Sequence, residues 1–89
     1  NDMKSAKEMF EKMGWSYEYV KGDCSEDTIQ CKDLTRTMVL ACQKYKLLPN
    51  IQFNTISKCI VINDLTFINL DILQAINQQC KELGWLNEL

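Results

Sequence analysis

The 89-residue chain contains no histidine. That absence removes serine–histidine–aspartate and cysteine–histidine nucleophile activation, histidine acid–base work and most zinc sites. Glycine is almost as scarce. Gly14, Gly22 and Gly84 each stand where a turn or a helix cap is expected, which leaves no glycine-rich phosphate loop. No run of about 18 apolar residues occurs, so no bilayer-spanning segment is expected. Basic excess is missing too: the formal net charge is −2, and nonspecific nucleic-acid affinity rests mainly on neutralising phosphates.

Cysteine is present in odd number, at Cys24, Cys31, Cys42, Cys59 and Cys80, with wide spacings. Asn1-Asp2-Met3-Lys4 leads into a helical pattern without the apolar stretch of a secretory leader. Together these read as reduced thiols in a cytoplasmic protein, not a disulfide framework. The nearest pair, Cys24 and Cys31, is too far apart in sequence for a C-x₂-C ligand pair, so neither metal nor cofactor is expected. Cys24 lies in an acidic loop, a poor setting for a nucleophilic thiolate. Cys59 and Cys80 fall at core-facing positions and read as packing.

What remains is ordinary globular composition, 46% hydrophobic and 25% charged, enough for one domain over residues 1–89. Residues 3–14 form an amphipathic pattern: Met3, Ala6, Met9, Phe10 and Met13 share one face, and Glu8 and Lys12 make an i,i+4 pair opposite. Gly14 stops this helix, and Trp15 follows where an apolar residue folds back on the last turn. Trp15, Tyr17 and Tyr19 then alternate as in a strand, Lys21-Gly22-Asp23 turns, and residues 28–32 alternate again. Residues 34–48 fit a helix face or a doubly buried strand; the β-branched Thr35, Thr37 and Val39 favour strand. Residues 51–54 and 58–62 make a hairpin, and Ile60-Val61-Ile62, apolar on both pleat faces, reads as a central strand. A last helix over 70–84 has Asn69 as N-cap, Asp71 in its first turn and Ile72, Leu73, Ile76, Cys80 and Leu83 as its buried stripe. It ends on Gly84-Trp85, repeating the first stop signal. The expected fold is α+β and two-layer: an N-terminal helix, an antiparallel sheet of four or five strands and a C-terminal helix.

Residues 5–15, Ser-Ala-Lys-Glu-Met-Phe-Glu-Lys-Met-Gly-Trp, resemble the opening of small prophage and mobile-element proteins of Firmicutes that carry no assigned activity. Residues 73–85 are similar to their closing helix. The resemblance covers about 25 residues at the two ends, and residues 34–50 are more apolar than the polar connection it would imply. It implies an α–β-meander–α arrangement and a phage-related origin, and transfers no catalytic residue.

The functional expectation is a noncatalytic accessory protein that binds another protein, not an enzyme. Trp15, Tyr17, Tyr19 and Trp85 are the candidate binding surface, since exposed Trp and Tyr are the usual interface anchors. The alternative is single-stranded nucleic-acid stacking on the row Trp15, Tyr17, Tyr19, which lacks the basic groove such platforms use. Core packing of that row is the favoured reading of its alternation. The carboxylates Glu18, Asp27 and Asp64 are read as solubilising rather than catalytic. A homodimer is also an expectation, through a free sheet face, edge strands or the apolar residues of 34–48.

Overall fold

Ser5 starts the first helix for a local reason. In the computed structural model, which describes residues 4–37 and 47–86, Ser5 takes an extended conformation before helix α1 (Ala6–Lys12). Its hydroxyl accepts the Glu8 N–H at 3.1 Å while the Glu8 carboxylate accepts the Ser5 N–H at 3.1 Å, a reciprocal capping box. Glu8 is thereby committed to the cap. The ion pair on the exposed flank is Lys7–Glu11 at 3.9 Å instead of the expected Glu8–Lys12.

Both helices end alike. Gly14 has φ 86°, its N–H donates to the Glu11 carbonyl, and the Trp15 N–H donates to the Phe10 carbonyl. Helix α2 (Leu70–Glu82) repeats the pattern with Gly84 at φ 75°, bonded to Lys81, and Trp85 bonded to Cys80. This is the Schellman arrangement, which satisfies carbonyls that a helix end would otherwise strand. The two glycines differ in surroundings. A Cβ on Gly14 would lie 2.7 Å from Thr35 Cγ2, whereas one on Gly84 would meet nothing.

Between the helices run β1 (Glu18–Val20), β2 (Thr28–Lys32), β3 (Asn50–Asn54) and β4 (Cys59–Asn63), an antiparallel sheet in chain order. Short connections suffice for such a meander. The β1 strand is shorter than its alternation suggests, although Trp15 still bridges Asp33 beyond its end. Leu34–Arg36 form a 3₁₀ turn, not the expected strand. Asp33 accounts for this, because its carboxylate accepts the Thr35 N–H at 3.0 Å and the Thr35 hydroxyl and so bends the chain. The remainder of that expectation, residues 38–46, lies outside the described residues.

The register sets the core. Ile29, Phe53 and Ile60 stand in one cross-strand row, and Cys31, Ile51 and Ile62 in the next, both on the helix-covered face. Phe10 of α1 seats between them, with ring centroids 6.3 Å from Phe53, 5.7 Å from Trp15 and 6.4 Å from Tyr17. Gln30, Gln52 and Val61 make the row on the other face. Three expectations need correction. The Ile60-Val61-Ile62 strand is an edge rather than central, because a four-strand meander ends where its last hairpin ends. Cys59, at its start, is exposed instead of core-facing. Leu73 is 55% exposed, while Gln79 is buried in the α2 stripe. Gln79 tolerates that position because its Oε1 accepts the Tyr17 hydroxyl at 2.5 Å. Among the described residues no helix is long and apolar enough to cross a membrane.

Two predictions follow from these contacts. Gly84→Ala should cost about 1–2 kcal/mol for forcing a Cβ into left-handed backbone, and Gly14→Ala should cost visibly more because Thr35 must also move; urea unfolding of both variants checks the order. Tyr17→Phe should cost about 1–3 kcal/mol by stranding the Gln79 oxygen, and adding Gln79→Met should recover part of it, read from the same unfolding curves.

Candidate binding surface

The residues expected to form a binding surface do not share one. Alternation in the β1 segment places Trp15, Tyr17 and Tyr19 on the helix-covered face of the sheet. Trp15 is buried against Phe10, and Tyr17 is half-buried beneath α2, where burial pushes its hydroxyl pKa up. Trp85 is half-buried, its ring 6.4 Å from Phe53. Tyr19 alone of the four is exposed, and its hydroxyl donates to Asp27 at 2.7 Å. The aromatic row is therefore core and rim, with no open platform.

Asp27 gathers the loop that follows β1. Its carboxylate accepts the Gly22 N–H at 3.0 Å, the Tyr19 hydroxyl and the Lys21 ammonium at 3.2 Å. These donors, the Gly22 N–H foremost, hold its pKa down at about 2. The chain passes so close here that a Cβ on Gly22 would stand 2.0 Å from the Ser25 carbonyl oxygen. Next to it, the Glu26 carboxylate accepts the Ile56 and Ser57 N–H groups at 2.8 Å each, and the Ser57 N–H in particular lowers its pKa. The Asp27 carbonyl takes the Thr55 N–H at 3.1 Å. The acidic loop thus clamps the β3–β4 turn. Glu18 stays on the solvent side, and Asp64, at φ 58°, ends β4.

The clamped turn leads into β4, a strand that the helices leave partly bare. Ile60, Val61 and Ile62 keep 37%, 37% and 42% of their surface exposed, although Ile60 and Ile62 lie in the same rows as buried Phe53 and Ile51. Apolar exposure continues at both ends of β4, at Ile56 (77%) in the turn and at Phe67 (70%) and Ile68 beyond Asp64. It extends onto α2 through Leu70 and Leu73. Asp71 and Gln74 of α2 border a shared surface hollow with Met9 and Met13 of α1, and Glu82 accepts the Ala6 N–H at 2.7 Å. At 100° per residue these positions put α1 on one flank of α2 and Leu73 on the other. Since Phe10 ties α1 to the β1 side, Leu73 faces the β4 side. Exposed apolar side chains thus lie along β4 and on the segment that follows it, Ile60 and Ile62 on the helix-covered face and Val61 on the other.

Adjacent to the strip, a groove of about 360 Å³ opens at the end of the sheet, bordered by Trp15, Asp33, Arg36, Pro49, Asp64 and Phe67. Three carboxylates line it: Asp64, Asp71 and Asp33, the last occupied in capping the 3₁₀ turn. Among the described residues no three cysteine or carboxylate groups are placed to hold a metal ion. Burial pushes the Cys31 thiol up to about 12 and raises that of Cys80, which makes both inert; Cys24 and Cys59 are exposed. Of the strip, Ile60-Val61-Ile62 is visible in sequence as an uncharged apolar run. The signal for its exposure is the meander itself, whose last strand can gain a second neighbour only from elsewhere. Phe67, Ile68 and Leu70 give no periodic signal. No protein family, curated protein or solved structure matches the chain.

The acidic clamp has a pH signature. Because the folded pKa of Asp27 lies below its ordinary value of 3.8, its contribution to stability is complete above about pH 4 and is lost as pH falls through about 2. Asp27→Asn should lower the melting temperature at about pH 6 and flatten the decline between about pH 4 and 2, as measured by thermal melts across that range.

Proposed function

We propose that this is a small noncatalytic accessory domain that acts by binding another protein, with the strip along β4, Phe67, Ile68, Leu70 and Leu73 as its docking surface. One observation carries the reading: an uncharged apolar strand lies at a sheet edge with its side chains exposed. An edge strand offers a row of backbone donors and acceptors to an added strand, and flanking apolar side chains supply the burial that makes such pairing stable. The burial of Cys31 and Cys80, the commitment of the Glu26, Asp27 and Asp33 carboxylates to backbone N–H groups and the lack of histidine support a role that is not chemical. A cytoplasmic setting and a phage or mobile-element origin belong to the same reading, supported by the unpaired cysteines and by the resemblance of the two chain ends. The alternative, stacking of single-stranded nucleic acid, would need the aromatic row open, and Trp15 and Tyr17 face the helices.

A photoreactive phenylalanine analogue in place of Phe67 should crosslink to a protein in a Gram-positive cell lysate, whereas the same group in place of Glu18, on the polar face, should not. Val61→Lys should weaken the Phe67 crosslink. Products of the purified chain alone are scored separately. Equal labelling from both positions, or no product from position 67 either in lysate or with the purified chain alone, would refute this surface.

A further inference from the structure

The geometry points to a second copy of this chain as the occupant of the β4 edge, paired antiparallel about a two-fold axis through Val61 so that two four-stranded sheets become one. This rests on the reading of the β4 strip as a docking surface and names what docks there.

The backbone is arranged for it. The Asp33 N–H donates to the Pro49 carbonyl at 2.8 Å, so the odd-numbered residues of β3 turn their N–H and C=O groups to β2. By alternation Asn50, Gln52 and Asn54 bond to β4 through Asn63, Val61 and Cys59. Ile60 and Ile62 are left directing their N–H and C=O groups outward. Two copies can supply each other with four backbone hydrogen bonds at these residues. Nothing within β4 opposes this: the strand Cys59–Asn63 holds no proline and no charge, the usual protections of an edge.

Chemistry selects the register. A two-fold axis perpendicular to the sheet keeps each face continuous, so the strand must pair with itself about a residue, and Ile60, Val61 and Ile62 are the central choices. Pairing about Ile60 sets Lys58 against Ile62 of the other copy, and pairing about Ile62 sets Asp64 against Ile60. Pairing about Val61 sets Ile60 against Ile62 and Cys59 against Asn63, apolar on apolar in the middle, and brings the opposite charges of Lys58 and Asp64, which flank the strand in left-handed backbone at φ 58° each, to the same ends of the seam. The same axis carries the Ile56 turn of one copy to the end of the sheet where the other bears Phe67. It also brings Leu73 of both copies over the seam on the helix face. The exposed apolar side chains of the strip amount to roughly 800 Å² per copy, so pairing that covers nearly all of them reaches the share that each partner gives to a standard stable interface.

Sedimentation equilibrium of the purified chain from about 1 to 100 µM, the range for interfaces of modest affinity, should show a dimer. Val61→Lys places two like charges on the axis and should weaken the dimer at least about tenfold, with the far-ultraviolet circular dichroism unchanged. Lys58→Glu and Asp64→Lys should each weaken it several-fold, by roughly the worth of two exposed ion pairs, and the double variant should regain most of the loss. A chain that stays monomeric to about 100 µM overturns the second-copy assignment, and the Phe67 crosslink in lysate then decides separately whether the strip binds a different protein. A dimer indifferent to Val61→Lys also overturns it, and a dimer that the double charge exchange fails to restore overturns the register.

Discussion

Phe10 is the contact on which the two layers depend. It is fully buried, it belongs to a helix of two turns, and it touches Trp15 and Tyr17 before β1 as well as Phe53 near the end of β3. A helix this short is not stable alone in water, so its persistence derives from this packing and its two caps. Truncating a buried phenylalanine typically costs about 3–5 kcal/mol, against a total of about 5–9 kcal/mol for a domain this size. The local devices at either end of α1, the Ser5–Glu8 box and the Gly14 turn, therefore serve one purpose. They fix the angle at which Phe10 enters the core.

That arrangement also explains what is left uncovered. With α1 tied to the β1 side and α2 beside it, the helices of the described residues present their outer flank, Leu73, toward β4 and leave Ile60 and Ile62 partly exposed. The polar clamp works in the same direction. Glu26 and Asp27 hold the β3–β4 turn from the β1–β2 loop at the same end of the sheet, so the start of β4 is kept in place without being covered. Rigid support with incomplete burial is what a docking edge requires, since a strand already ordered pays less entropy on pairing.

Much of this was legible in the residues, and the failures have physical causes. The helix ends were readable because Gly-Trp at a helix stop encodes a specific hydrogen-bond pattern, and β2 was readable because strict alternation admits one periodicity. The capping role of Glu8 competes with its i,i+4 pairing to Lys12, and only the extended backbone of Ser5 decides between them. Leu34–Arg36 misread as strand because β-branched threonines signal extension while the single side-chain bond from Asp33 to Thr35 overrides it. The binding surface was the least legible part. Exposure of an apolar strand depends on where the neighbouring helix stops, and Ile60 and Ile62 have the same composition whether covered or bare.

The two edges of the sheet are unequal. The outer edge of β1 is three residues long, flanked by Lys21 and folded into the Asp27 loop, whereas β4 offers five uncharged residues. A sheet with two adhesive edges would add copies without limit and grow into a fibre. With one blunt and one open edge, the pairing proposed for β4 would consume both available edges at the first encounter, and growth would stop at a closed, two-fold pair.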